Sequence, residues 1–328
     1  MVAFLIRRVS ILVPMLFMMS IVAFAIIQAP PGDYLETYIA QLMATGDDVD
    51  MAEIEALERM YGLDQPMYVQ YWKWLWKVLH GDLGMSLEFQ RPVNDLIGER
   101  LGLTVLLGLF TVLFTWSLAL PIGMLSAVKQ YSFVDYFFTF VSYVGVGVPN
   151  FLLALVIMWS VYRYFGLKIT GLFSGDYVDA PWSVARFLDM LKHIWVPMLI
   201  LGSAGTAGLT RTVRANLLDE LKKPYVQTAR AKGLSERKVV FKYPLRIALN
   251  PFVSTIGWAL PGLFSGSLIV AMVLGLPTVG PLLLRALMAQ DMFLAGSIVL
   301  ILTTLTMIGT LVSDIVLAAL DPRIRMGG

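Results

Sequence analysis

The residues best suited to chemistry in this chain are cations, gathered in one polar segment between two membrane-length apolar runs. From Arg211 to Arg246 there are ten basic residues against three acidic ones, Asp219, Glu220 and Glu236. Within it, Tyr225 to Pro251 reads as two short helical patterns split at Gly233-Leu234-Ser235, with Pro251 closing the second. Gly233 suits the position just past a helix end, because the left-handed conformation costs glycine little. Ser235 is then placed to cap the next helix by accepting from its free N–H groups. Clustered cations dock and orient; they do not by themselves break bonds. The elbow therefore predicts a cytoplasmic docking surface, with a partner rather than this chain as the source of energy.

Other chemistries lack their residues. There is no cysteine, which removes disulfides, thiolate metal sites and cysteine nucleophiles. The two histidines, His80 and His193, stand far apart with no metal-ligand spacing around them, so no metal is expected. No G-x-x-x-x-G-K-[ST] run is present, so the chain has no phosphate-cradling loop of its own. Serine and aspartate occur in the apolar runs, but no nucleophile and base fall at helical spacing, and an intramembrane enzyme is disfavoured. Asp314 is the notable ionisable residue in a span. It lies about two turns before Asp321, near the inner interface, and suggests a residue held by a structural partner rather than a proton relay.

The elements that must position the elbow are membrane spans. Of 328 residues, 58% are hydrophobic and 15% charged, against about 25% charged in soluble domains. A span needs about 20 mostly apolar residues. Six candidates result: Val9–Ile27, Leu103–Ala127, Phe137–Tyr162, Ile194–Leu209, Phe252–Leu274 and Leu294–Leu317. The fourth is short unless it runs on through Arg211 and Arg214, whose long stems can snorkel to the inner interface. Arg7 and Arg8, the elbow, and Arg323 and Arg325 all fall on one side of six spans, which the positive-inside rule makes cytoplasmic. The expected fold is an all-α integral membrane protein with six transmembrane helices, an outer loop subdomain and a cytoplasmic coupling helix. Its parts are a first span (1–29), an extracytoplasmic loop (30–100), a five-span core (101–320, with the coupling segment at 211–250) and a cytoplasmic tail (321–328). Arg7-Arg8, an apolar run and Ala23-Phe24-Ala25 also mimic a signal peptide, but the run continues through Ile26-Ile27 and favours an anchoring span.

The outer loop, Pro30 to Arg100, holds thirteen acidic and five basic residues. Val49–Tyr61 has an acidic helical pattern. Tyr68 to Leu79 is an amphipathic stretch carrying Tyr71, Trp72, Trp74 and Trp76; a helix lying along the outer membrane surface explains it better than an aromatic cage for a ligand. Leu276 to Asp291 reads as a re-entrant or interfacial outer segment. Gly and Pro punctuate the spans at Pro121-Ile-Gly123, Gly145-Val-Gly-Val-Pro149, Gly202 to Gly208 and Gly257 to Gly266, sites for close helix packing or for hinges.

Several stretches together resemble the B-type permease subunit of ABC importers of the oligopeptide/dipeptide/nickel class. Tyr225-Val-Gln-Thr-Ala-Arg-Ala-Lys-Gly-Leu-Ser-Glu-Arg237 is similar to the family's coupling segment, and Tyr61-Gly-Leu-Asp-Gln-Pro-Met-Tyr-Val-Gln-Tyr-Trp72 and Gly81-Asp-Leu-Gly-Met-Ser86 to its outer loop. Arg91-Pro-Val93 with Ile97 and Arg100-Leu101, and Leu320-Asp-Pro-Arg-Ile-Arg325, resemble its approach to the second span and its closing motif. The chain departs from the family at Gln227-Thr228-Ala229, where importer permeases often carry Glu-Ala-Ala, and at Tyr243-Pro244 and Arg246-Ile-Ala-Leu249, where peptide permeases often carry a His and Arg-Asn-Ala-Leu.

The resemblance implies a non-enzymatic subunit in the bacterial or archaeal cytoplasmic membrane, with both termini inside. It would pair with a homologous second permease, two cytoplasmic ATPases that bind ATP and magnesium, and an extracytoplasmic substrate-binding protein. This chain itself would hold no cofactor and no nucleic acid. ATPase docking would fall on Tyr225, Thr228, Ala229, Arg230, Lys232, Gly233 and Leu234. Ala229 and Gly233 would let the helix lie deep in a groove, Tyr225 would anchor it, and Arg230 and Lys232 would reach acidic rim groups. The family counterpart of Leu276–Asp291 closes the outer mouth of the pathway. Cargo would be peptides, with oligosaccharides or opines as alternatives; substrate-binding residues are not legible. The absence of a Cys or His cluster in the spans argues against bare nickel. Two simpler possibilities stand beside this: a solvated basic loop that only fixes topology, and an ion-coupled secondary transporter, which would show inverted repeats and mid-membrane charges.

Overall fold

The structure is a computed structural model that describes residues 2–28, 39, 59, 64–254 and 268–320. The acidic pattern Val49–Tyr61, the Gly257–Gly266 punctuation and Asp321 lie outside the described residues, apart from Arg59. Among the described residues the chain is helical, with one isolated bridge between Met85 and Pro92 and no strand. We number the helices α1 (Val2–Gln28), α2 (Met67–Leu79), α3 (Val93–Val128), α4 (Phe133–Gly147), α5 (Asn150–Phe165), α6 (Val184–Leu221), α7 (Pro224–Ala231), α8 (Glu236–Lys242), α9 (Pro244–Ala248), α10 (Asn250–Ser254), α11 (Leu268–Val273), α12 (Val279–Met288) and α13 (Met292–Leu320).

Three of these are long and apolar enough to cross a membrane: α1 over Ile6–Ala25, α3, and α13 over Met292–Ala319. The bent pair α4 and α5 makes a fourth if it is one span. Over the expected span Phe137–Tyr162 the helix is not continuous: it breaks at Val148-Pro149, and its halves are bent by 100°. The cause is local. Val148 precedes a proline and adopts φ −92°, ψ 120°, away from the helical region that a following proline disfavours. The expected span Ile194–Leu209 lies inside α6, which runs on through Arg211 and Arg214 to Leu221. Its run of Gly, Ser and Thr from Gly202 to Thr212 keeps it less apolar than α1 or α3. The expected span Phe252–Leu274 is described only at its two ends, α10 and α11.

The chain divides into two compact units. One comprises Leu103–Pro277 and the stretch from Thr306 onward; the other comprises Val2–Gly102 and Thr278–Leu305. In the first, Leu103, Leu107, Leu172, Met190, Ile200 and Leu274 belong to one buried apolar cluster. Helices approach closely there where side chains are absent. A Cβ on Gly123 would stand 2.8 Å from the Val213 Cβ and 2.9 Å from the Thr210 carbonyl oxygen, and one on Gly202 would stand 2.7 Å from Phe114 Cδ1. These glycines are packing devices. Gly123→Ala is expected to destabilise this unit by about 1–3 kcal/mol through overpacking. Gly208→Ala, which meets nothing within 4 Å, should leave thermal unfolding in detergent unchanged or slightly raised.

In the second unit, α2 lies against α1. Tyr71 and Ser20 share a hydrogen bond of 2.8 Å, and Phe24 meets the rings of Tyr71 and Trp74 at 5.4 and 5.8 Å. The Gly81–Ser86 motif turns through two glycines in the left-handed region, φ +80° at Gly81 and +86° at Gly84. Asp82 accepts from the Gly84 N–H, and Asn94 ties Gly81 to Leu83. This compact turn delivers Ser86 to Asp291, whose carboxylate accepts its hydroxyl at 2.5 Å. Asp291 also accepts from the N–H groups of Glu88 and Leu294, and so caps α13.

Candidate coupling elbow

The elbow grows out of the C-terminal end of α6. Pro224 occupies the first turn of α7, where its missing N–H leaves no bond unmade. One apolar face of α7 and α8 closes on itself, with Val226, Ala229 and Val239 buried and Leu221, Tyr225 and Leu234 packed around them. Below it, Leu217 on α6, Ala127 at the end of α3, Val240 on α8 and Ala248 on α9 form a second cluster. The short helices are thus fastened to two long ones rather than hanging free.

Gly233 holds φ +75°, as expected of a residue just past a helix end. Its N–H donates to the Arg230 carbonyl at 2.9 Å, and the Leu234 N–H donates to the Ala229 carbonyl at 3.3 Å. These two bonds form a Schellman motif, with Leu234 returning to the apolar cluster. Nothing lies within 4 Å of where a Gly233 side chain would begin, so the backbone conformation, not crowding, requires glycine. Ser235 stands at the start of α8, but its side chain makes no capping bond, which corrects that expectation. Nor does Pro251 close the second helical pattern. Pro244 interrupts it after Lys242, and Pro251 lies within the first turn of α10.

The expected docking residues fall on two sides. Thr228, Arg230, Lys232 and Gly233 are exposed. Arg230 grips Glu236 through two bonds of 2.8 and 3.2 Å across the elbow. Ala229 is buried, so its small side chain serves the packing of α7 on α8 and is not presented to solvent. Leu234 is half-buried in the same cluster. Tyr225 is anchored inside the chain, its hydroxyl donating to Glu220 at 2.5 Å. Burial, and then that bond, push its hydroxyl above the ordinary tyrosine value and keep it a donor.

Sequence reasoning missed a buried ion pair near the elbow. Arg214 does not snorkel; its Nε and Nη2 donate to the two carboxylate oxygens of Asp135 at 2.6 and 2.7 Å. Asp135, 2% exposed, lies in the first turn of α4, accepts from the Tyr131 N–H at 3.0 Å, and joins α4 to α6. The signal was Ser132-Phe-Val-Asp135, a capping pattern at the start of an apolar helix. Arg211 instead lies over the Tyr143 ring, 5.5 Å from its centroid. Asp314 is half-buried on α13.

No catalytic arrangement emerges among the described residues. Ser174 and His193 both meet Asp189, but the serine hydroxyl donates to the carboxylate at 2.6 Å, while His193 Nδ1 sits 2.9 Å from the Asp189 backbone oxygen. The serine proton therefore has no imidazole to receive it.

The elbow is thus an exposed basic segment seated on a multi-helix apolar body, and comparison with known proteins gives the family. Residues 119–326 match the family described as the binding-protein-dependent transport system inner membrane component, and residues 1–108 match its N-terminal membrane component. This chain belongs to that family of importer permeases. The permease is 35% identical to the oligopeptide transport system permease protein AppB of Bacillus subtilis, over 99% of this chain and 100% of the relative. It is 29% identical to the dipeptide transport system permease protein DppB of Escherichia coli K12, over 99% of each. It is 32% identical to the glutathione transport system permease protein GsiC of Escherichia coli O6:H1, again over 99% of each. Its fold resembles a chain of the inward-facing MetNI methionine ABC transporter, with a TM-score of 0.53 and 16% identity over 69% of this permease and 96% of that chain. It is a multi-pass membrane permease of a binding-protein-dependent ABC importer, in the oligopeptide and dipeptide class.

Proposed function

We propose that this permease pairs with a homologous second permease to form a pathway for peptides or similar small solutes. Two cytoplasmic ATPases bind ATP and magnesium and dock on the elbow, and an extracytoplasmic binding protein delivers the cargo. The permease crosses the membrane six times with both termini inside, and it performs no hydrolysis itself. Closure of the ATPases is transmitted through α7 and α8 to α6 and α3, opening the pathway outward. The observation that supports this is the Schellman-capped elbow, exposed along Thr228, Arg230, Lys232 and Gly233 and fastened to the ends of two long helices. Peptide cargo is favoured by the relatives named for oligopeptides, dipeptides and glutathione.

The test is purification. The permease should retain ATPase subunits, and their hydrolysis should rise when the loaded binding protein is added. Uptake by this chain alone in liposomes under a proton gradient would overturn the importer reading. Gly233→Leu forces a branched side chain into the left-handed region, a strain of about 1–2 kcal/mol, equivalent to roughly tenfold weaker docking if it falls on the assembled state. The expected outcome is lost ATPase subunits on purification, or hydrolysis that no longer drives uptake. Wild-type uptake with normal stimulation would count against the elbow.

A further inference from the structure

The outward face of α2 remains unexplained by coupling or cargo. Its inner face buries Tyr71, Trp74 and Leu75, with Phe24 of α1 against the first two rings. Tyr68, Trp72 and Trp76, four residues apart, line up on the other side, with Trp72 57% and Trp76 67% exposed. Lys73 and Lys77 follow one position later and are exposed as well. Together these residues line a groove of about 770 Å³, closed on one side by Met292 and Phe293 of α13.

Two observations say what covers this face. The Trp72 ring meets the ring of Phe17 at 6.1 Å, and Phe17 lies inside the membrane-length run Ile6–Ala25 with 42% of its surface open. The aromatic face is therefore continuous with a surface that belongs in lipid. The groove's cations then sit beside rings suited to the headgroup level, where long stems carry ammonium groups outward to phosphate oxygens. We infer that the outward face of α2 is a binding surface for anionic phospholipid, the indoles entering the acyl boundary and Lys73 and Lys77 holding the headgroup phosphate. A docking protein would meet only the polar edge of such a face, leaving the indoles adjoining Phe17 uncovered.

The experiment uses the full chain in vesicles of phosphatidylcholine and phosphatidylglycerol in equal parts, with brominated acyl chains placed on one lipid at a time. Quenching of tryptophan emission is read as the difference between wild type and Trp72→Phe/Trp76→Phe, which isolates these two indoles. Brominated phosphatidylglycerol is expected to quench them about fivefold more effectively than brominated phosphatidylcholine, an enrichment in keeping with two lysines near a charged surface. Lys73→Gln/Lys77→Gln should quench equally with both lipids. Equal quenching in the wild type, or a preference that survives the lysine changes, would overturn the anionic site. Absence of quenching by either lipid, with emission altered by the binding protein instead, would assign the face to a protein. None of these readouts depends on ATPase docking.

Discussion

Replacing Asp135 with alanine is expected to destabilise the permease by about 3 kcal/mol, near the lower end for breaking a buried ion pair because Arg214 keeps some contact with solvent. The cost arises from what is left behind. Arg214 would lose both of its short bonds to the carboxylate, and the Tyr131 N–H would lose its acceptor. Thermal unfolding in detergent should show the loss as a lowered midpoint and reduced yield. Arg214→Lys should also lose stability, because an ammonium cannot match the two-pronged geometry. The double change Asp135→Leu with Arg214→Met removes both charges together and is expected to recover most of the midpoint. If the single and double variants were equally impaired, the pair would not be the source of the effect. Because α4 and α6 meet at this pair and α6 carries the elbow, uptake should fall further than yield in Arg214→Lys.

Asp291→Ala is the second large effect, expected at about 2–4 kcal/mol from a lost helix cap and stranded hydrogen-bond donors. Asp291 is fully buried, and its carboxylate receives the Ser86 hydroxyl and the N–H groups of Glu88 and Leu294. Burial pushes its carboxyl above the ordinary value of 3.8, against the opposing pull of these bonds. A carboxyl whose folded value is raised contributes stability that is fully present below its unfolded value and is lost as pH rises through the folded value. The wild type should therefore lose midpoint relative to Asp291→Asn, which cannot titrate, as pH rises from about 4 through the raised value. A difference that is flat with pH, or that widens in favour of the wild type as pH rises, would show that Asp291 is not held above its ordinary range. Ser86→Ala should reproduce part of the loss.

The elbow was the part of the site most open to reading in sequence. Gly233 announces itself because only a residue without a Cβ sits comfortably in the left-handed region, and the basic run around it stands out between two apolar runs. Ser235 and Pro251 misled, since a capping residue or a helix breaker states what is permitted locally, and the clusters around Val239 and Ala248 decided what formed. Ala229 shows the same ambiguity: smallness fits a partner's groove and a neighbour's flank equally well, and the packing shows the flank against Val226 and Val239.

By itself, the sequence determined the class of protein, the apolar runs, the basic elbow and its glycine, because composition, hydropathy and φ preference are properties of residues and their near neighbours. Tertiary structure alone decided that Arg214 turns inward to Asp135, that Ser86 and Asp291 meet across 205 positions, and that Gly123 and Gly202 face helices at contact distance. It also decided which of the α2 aromatics are buried and which stay exposed. The physical reason is the same in each case. A charge, a hydroxyl or a bare Cα can be satisfied in several ways, and the choice is made by which distant group the folded chain brings within hydrogen-bond or van der Waals reach.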